Sequence, residues 1–274
     1  MNNPNMKDLI EDNAIFFLSH SGGKDSQAMY LVLSGIIPAE QLVVVHAHLG
    51  KVEHAGVISH IESTIDQPLN VIKANWKDGS EKDLLDMVGR RHDKLQAAGK
   101  ENAPWFSSSQ RYCTSDMKRD PIHKFIRQTM KARGSKLAVN VTGMRAEESS
   151  ARAKLSEWDT CSRLCTAGRT VYEWRPIHAW TIDMVFTAIE RAGQTAHPAY
   201  YGDNISEKAP RGGNERLSCV FCMMASSNDL RNGARANPEL AREYVQMERD
   251  TGYTMFHKKS LESVIGDLIP AVQI

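Results

Sequence analysis

No apolar run in the sequence approaches the roughly 18 residues that a membrane helix requires, and residues 1–11 are polar, without the apolar segment of a secretory signal. The expected setting is therefore the cytoplasm, with no membrane partner. Net charge is almost absent: 34 Lys and Arg oppose 33 Asp and Glu, leaving +1. A neutral total neither demands nor rules out a polyanionic partner, because a local basic patch can sit within it. Internal repeats and low-complexity tracts are lacking, which excludes solenoid and disordered classes. Cysteine is sparse, with five residues (Cys113, Cys161, Cys165, Cys219 and Cys222) and none beyond Cys222. In a reducing compartment these are free, catalytic or metal-bound rather than disulfide-linked.

With 274 residues and 41% hydrophobic content, the chain can bury one substantial core. One main domain over 1–192 and a smaller C-terminal part over 193–274 are expected. Apolar runs at 15–18, 42–45 and 69–74, and the alternation of Leu137, Val139 and Val141, predict strands. Helices are predicted at 27–33 (closed by Gly35), 57–65, 80–99 and 121–133, the last with Pro121 in its first turn. Thr181 caps a helix reaching Ala192, and Asn237-Pro238 opens one that Gly252 ends. Residues 100–111 and 193–216 read as loops. Strands alternating with helices imply an α/β, doubly wound parallel sheet with a small helical, cysteine-containing C-terminal part.

The chemistry begins at Ser21-Gly22-Gly23-Lys24-Asp25-Ser26, directly between the first strand and its helix. A Gly-Gly turn at a helix N-terminus aims backbone N–H groups and the positive end of the helix dipole at one point, which suits a phosphate. Ser19, Ser21 and Ser26 offer hydroxyls, Lys24 a full charge, and Asp25 either orients the loop or holds a metal ion through water. A Gly-x4-Gly-Lys-Ser/Thr spacing is missing, which excludes a Walker-type loop. The bland alternative is a glycine turn with a capping Ser and Asp. Gly143, after the fourth strand, lets the backbone pass close to a ligand, and Arg145 and Arg152 are forked donors suited to phosphate or sulfate, with Glu148 able to orient one of them. Cys219-x2-Cys222 is a chelating pair. Together with Cys113 and one of Cys161 and Cys165 it can surround a soft metal or an iron–sulfur cluster, zinc being the rival and unrelated buried cysteines the bland reading.

The hexapeptide 21–26 resembles the SGGxDS signature of PP-loop ATP pyrophosphatases. Arg111-Tyr112-Cys113-Thr114 with Lys118 and Pro121, Thr142 to Ser149 with Arg152, Arg175-Pro176-Ile177 with Trp180, His197 to Gly202 and Cys219-Val220-Phe221-Cys222 resemble, in order, the blocks of the phosphoadenosine phosphosulfate reductase-like branch. That resemblance implies an adenine nucleotide alpha hydrolase-like fold and a loop that holds the β- and γ-phosphates of ATP while an acceptor attacks the α-phosphorus. Lys24, Asp25, Lys118 and Arg145 are the implied catalytic residues. Ser19, Ser21, Gly22, Gly23, Ser26, Gly143 and Arg152 complete the phosphate site. A [4Fe-4S] cluster is implied on Cys113, Cys219, Cys222 and Cys165, with Cys161 in place of Cys165 as the alternative, and ATP with Mg²⁺ is the expected cofactor pair.

The chain departs from the branch in two places. The catalytic cysteine of sulfonucleotide reductases lies in a C-terminal tail, and none follows Cys222 here. His48-Leu49-Gly50 stands where relatives carry an acidic or amide residue before Thr-Gly. The resemblance therefore points to the sulfur-insertion members, including DNA phosphorothioation components, with an adenylated acceptor oxygen, a cysteine desulfurase as sulfur donor and a nucleic acid as acceptor. RNA thiolation stays open. The alternatives are a phosphoadenosine or adenosine phosphosulfate reductase or sulfotransferase using Cys161 or Cys165, and a nucleotide or redox sensor without turnover. Arg111, Lys118, Arg119, Arg211 and Arg216, with Trp105, Tyr112 and Tyr201, are positioned to guide a nucleic-acid backbone, or else to bind nucleotide phosphates.

Overall fold

A computed structural model describes residues 4–107, 109–256 and 259–269; of the expected loop 100–111, residue 108 lies outside the described residues. The chain runs α1 (Met6–Glu11), β1 (Ile15–Ser19), α2 (Lys24–Ser34), β2 (Leu42–His48), α3 (Val57–Thr64), β3 (Leu69–Lys73), α4 (Leu84–Ala97) and α5 (Tyr112–Thr114). It continues with α6 (Asp120–Ala132), β4 (Leu137–Thr142), α7 (Ser150–Ala153), β5 (Trp158–Thr160), β6 (Thr170–Trp174), α8 (Ile182–Arg191), α9 (Ser227–Ala236), α10 (Pro238–Thr251) and α11 (Glu262–Ile265). Helix α4 starts later than expected because the Asp83 carboxylate caps it, accepting from the Leu85 and Asp86 N–H groups. Helical backbone reaches α6 earlier than expected, through a π turn over Ser115–Arg119; Pro121 sits at the second residue of α6, where its missing N–H is tolerated. Strands β5 and β6 and helix α9 were not legible from the apolar pattern.

The chain divides into two compact units: residues 1–47, 56–72 and 120–197 form the first, and residues 48–55, 73–119 and 198–274 the second. Segments 48–55 and 73–119, read from the sequence as part of the main domain, thus group with the C-terminal portion.

The first unit is built on a six-stranded sheet of order β3-β2-β1-β4-β6-β5. Strand β1 pairs in parallel with β2 and β4, β4 pairs in parallel with β6, and β5 closes the edge antiparallel to β6. The period-2 alternation of β1 feeds two apolar layers. Phe16 and Leu18 pack with Met29, Tyr30 and Leu33 of α2 on one face, and Ile15 and Phe17 with Ile126 and Met130 of α6 on the other. Both faces are covered, which is why β1 and the first part of β2 read as continuous apolar runs. Short β5 is held by Trp158 stacked on Trp174, with ring centroids 4.8 Å apart.

The second unit gathers α4, α9, α10 and α11 around Trp105, Phe221 and Tyr244. Trp105 stacks on Tyr244, and Phe221 lies 5.1 Å from the same ring. Buried Glu248 accepts from the Met255 and Leu261 N–H groups, tying the segment after α10 to that helix.

Phe17 is fully buried, so Phe17→Ala is expected to cost about 3–5 kcal/mol of stability, measured as a fall in the denaturation midpoint. A change under about 0.5 kcal/mol, the scale of a surface substitution, would show that this layer is not tightly packed.

Candidate functional site

Strand order reverses between β1 and β4: the chain proceeds outward from β1 through β2 to β3, then returns to β4 on the other side of β1. Ligands of open α/β sheets bind at such a switch point, beyond the strand C-termini. Here it is flanked by the turn after β1 (Ser19 to Ser26) and the turn after β4 (Thr142 to Arg145).

The turn after β1 is shaped by glycine. Gly22 has φ 75°, a left-handed conformation that side chains resist, and Gly23 is the N-cap of α2 with no side-chain cap of its own. The loop amides are engaged locally. Ser21 N–H donates to Ser26 Oγ at 3.1 Å, Gly22 N–H to His20 Nδ1 at 3.1 Å, and Gly23 N–H to Ser21 Oγ at 3.4 Å. Ser26 Oγ donates to the Gly23 carbonyl at 2.9 Å. Weak side-chain acceptors thus hold the donors that an anion would take. Gly143 completes the turn: a Cβ there would lie 3.1 Å from both the carbonyl carbon and oxygen of Asp25.

Asp25 joins the two turns. Its Oδ2 accepts from Lys24 Nζ at 2.9 Å and its Oδ1 from Arg145 Nε at 2.5 Å. Burial pushes this carboxyl up, but the charges and hydrogen bonds of Lys24 and Arg145 outweigh it and hold the group below its usual range. Arg145 is buried, and its Nη1 is bound to Glu147 and the Trp180 carbonyl; Nη2 has no partner among the described residues. Glu147 also accepts from Ile182 N–H at the start of α8. Arg152 pairs with Glu148, as the sequence allowed, and Glu148 also accepts from Arg145 N–H at 3.0 Å. Arg145 and Arg152, expected as phosphate donors, are therefore first of all tied to carboxylates. Both Asp25 oxygens are likewise engaged, one by each cation. Ser19 ends β1, beside Thr142 of β4 in register.

His20 was missed by sequence reasoning, although it directly precedes the 21–26 motif. It is buried; Nδ1 accepts from Gly22, which places the neutral ring's proton on Nε2, and that atom has no hydrogen-bond partner. Burial, then the nearby His46 and His60, lowers its pKa to about 3. His60 stands edge-on to His197 at 5.3 Å and contacts Gln27 Oε1; burial, then His197, lowers its pKa to about 4. Only the partly polar spacing of His20 between two serines hinted at this.

The second unit brings together Cys113, Cys219 and Cys222, which are near enough for their charges to interact. Burial pushes the Cys113 thiol up and the Cys219 thiol up to about 12, while nearby Lys118 pulls both down. Lys118, expected beside a transferring phosphoryl group, is thus placed next to these thiols. Cys161 and Cys165 belong to the first unit, in the apolar layer of Ile126 and Val171. Cys165 Sγ is bonded to the Val171 backbone at 3.3–3.4 Å, and burial raises the Cys161 pKa to about 12. Cys113, Cys219 and Cys222 thus belong to the second unit and Cys161 and Cys165 to the sheet core of the first, a division that sequence spacing does not reveal. Among the described residues the thiols of Cys113, Cys219 and Cys222 do not stand close enough to one another to form a metal-ligating group as they are. His48, the departure noted above, pairs with Glu53 at 2.7 Å.

Fold and turn together define an α/β nucleotide-binding protein of the PP-loop type. The family model for the phosphoadenosine phosphosulfate reductase domain matches residues 15–222, and the chain belongs to that family. A curated relative is an uncharacterized 37.8 kDa protein of Escherichia phage 186, 25% identical over 271 residues, covering 87% of this chain and 75% of the relative. Among solved structures, phosphoadenylyl-sulfate reductase of Candida auris in complex with phosphate overlaps at TM-score 0.40, with 13% identity over 66% of this chain and 74% of the other. FMN adenylyltransferase of Candida glabrata overlaps at TM-score 0.35, with 16% identity over 71% and 52%. No helix among the described residues is long and apolar enough to cross a membrane.

Two expectations follow. Gly143→Ala forces the β4 turn away from Asp25 and is expected to weaken ATP binding by about tenfold or more, equivalent to about 1.4 kcal/mol, with melting temperature little changed; unchanged affinity in a calorimetric titration would refute the close approach. His20 has a folded pKa far below its unfolded 6.5, so the unfolded state binds the extra proton. Stability is therefore fully present above about pH 6.5 and falls as pH drops toward about 3, by up to about 1.4 kcal/mol per pH unit for this group. His20→Phe is expected to flatten that acid limb in denaturant titrations.

Proposed function

We propose that the protein is an ATP pyrophosphatase that adenylates an acceptor oxygen so that sulfur can replace it, with a nucleic acid as the acceptor, as in phosphorothioation-type or RNA-thiolation chemistry. The observation that carries this reading is the turn at the switch point: backbone donors at the N-terminus of α2, with Lys24 beside them, gripped by Asp25 and Arg145 across two strands. Such preorganised donors stabilise charge developing on phosphate oxygens. ATP enters with Mg²⁺ on its phosphates, and its oxygens displace Ser26, His20 and Ser21 as acceptors for the loop amides. The acceptor oxygen attacks the α-phosphorus, the bond to the β-phosphate oxygen breaks, and pyrophosphate leaves toward the loop and Lys24. Arg145 Nη2 is the guanidinium nitrogen left to meet a phosphoryl oxygen. A sulfur nucleophile then displaces AMP, which departs with the original oxygen. When that sulfur arrives as a persulfide from a cysteine desulfurase, a thiol supplies the two electrons that release it as sulfide.

The thiols of Cys113, Cys219 and Cys222 belong to the sulfur side of this scheme, with Lys118 favouring the thiolate forms of Cys113 and Cys219. A bound soft metal or cluster would supply thiolate activation or sulfur handling there; iron, acid-labile sulfide and zinc assays on anaerobically purified protein identify it. Membership of the reductase-domain family favours sulfonucleotide reduction as the second reading. Pyrophosphate release separates them. Wild-type protein is expected to release pyrophosphate from ATP, and Ser21→Ala and Asp25→Ala to lose it by about 10²–10³-fold. Sulfite release from a sulfonucleotide without pyrophosphate formation from ATP would establish the reductase reading.

A further inference from the structure

Among the features that this function leaves unused is a solvent-open cleft of about 580 Å³ in the second unit, at the junction of α4 and the segment leading into α5. Arg91, Arg111 and Arg119 line it, together with the side chains of Ser109 and Ser115, and no carboxylate residue is among its lining. Asp116, the neighbouring acid, is occupied by Ser115 Oγ at 2.6 Å.

Arg91 is prepared for a ligand. Its Nη2 donates to Gln110 Oε1 at 2.9 Å, and its guanidinium lies 5.1 Å from the centre of the Tyr112 ring. That ring is itself fixed: Tyr112 donates its hydroxyl hydrogen to the Pro104 carbonyl at 2.7 Å and packs edge-on against Phe106. Arg91 has no carboxylate partner among the described residues, and its Nε is buried without a hydrogen bond. A guanidinium oriented by an aromatic face and an amide, with no carboxylate partner among the described residues, attracts an anion. The planar fork matches phosphate oxygens two at a time.

We propose that this cleft binds the phosphodiester backbone of the nucleic-acid acceptor. The inference rests on the sulfur-transfer reading above and supplies its substrate contact. Tyr112, which orients Arg91, directly precedes Cys113, so a strand anchored here by its phosphates runs beside the thiol site of the same unit. An open, carboxylate-free cleft with several cations suits successive phosphates of a chain, whereas a single phosphate needs an enclosed cradle.

The test is fluorescence anisotropy of a labelled single-stranded oligonucleotide with the full chain, across about 50–200 mM salt, for wild type, Arg91→Ala, Arg91→Lys and Arg111→Ala. Each alanine variant is expected to weaken binding about tenfold at low salt and to flatten the slope of log K against log salt by about 0.7, the value for one single-strand phosphate contact. Arg91→Lys is expected to keep the slope but lose part of the affinity. Melting curves separate these effects from misfolding, and two independent alanine sites keep the test valid if one variant does not fold. Unaltered affinity and slope in both folded alanine variants would overturn the proposal. Arg91-dependent binding of a mononucleotide bisphosphate without oligonucleotide affinity would also overturn it, showing the phosphate to come from a small molecule. ATP turnover distinguishes the two levels: pyrophosphate release without oligonucleotide binding sinks this inference alone, and its absence with every acceptor sinks the parent reading.

Discussion

The site in the first unit depends on one buried carboxylate. Asp25 holds Lys24 with one oxygen and Arg145 with the other, and so ties the turn after β1 to the turn after β4. Removing Asp25 takes from Lys24 and Arg145 the carboxylate they share, and loss of one partner from a buried pair costs about 3–5 kcal/mol. The net stability from such a network is small, since burying the ions costs nearly as much as their attraction returns. Its effect is positional: it fixes where two cations stand before a nucleotide arrives. Gly143 is required by the same constraint, because only a residue without Cβ lets the β4 turn come this near to the Asp25 backbone.

The loop is held in a form that a ligand can take over. Its amides donate to two serine hydroxyls and one imidazole nitrogen, all neutral acceptors. A phosphate oxygen carries charge and accepts more strongly, so exchange of partners favours the anion without unfolding the turn. His20 is kept neutral by burial and by its histidine neighbours, which preserves it as an acceptor for Gly22. The second unit solves a different problem: it presents two thiols, Cys113 and Cys219, whose burial disfavours the thiolate and a lysine that favours it. That balance suits groups that become charged when a metal or a sulfur species arrives, and stay protonated otherwise.

Much of the fold was legible because both sheet faces are covered. Strands such as Phe16 to Leu18 and Val43 to Val45 must then be apolar throughout, and a run of that kind between turn residues is a strong signal. The edge was not legible. Strands β5 and β6 mix Trp and Tyr with Asp, Glu and Thr, and β5 pairs antiparallel only because Trp158 can stack on Trp174. Helix α9 was hidden because its apolar face is only Leu230 with small Gly233 and Ala234. In the site, Lys24, Asp25, Gly143 and Arg145 were all marked by the motifs. That Arg145 meets Asp25 depends on an approach between segments 120 positions apart, whereas the contact of His20 with Gly22 is local to the turn.

The amino-acid order by itself determined the α/β class, the phosphate turn and its family, because these depend on local periodicity, glycine conformation and contiguous motifs. Tertiary structure alone decided the grouping of segments 48–55 and 73–119 with the C-terminal portion. It also decided that Cys161 and Cys165 pack into a sheet core, and that Arg91 faces a cleft without a carboxylate. The physical reason is the same in each case. A thiol or a guanidinium has identical local propensities whether it ends beside a metal, a phosphate or a leucine, and only long-range packing settles which neighbour it receives.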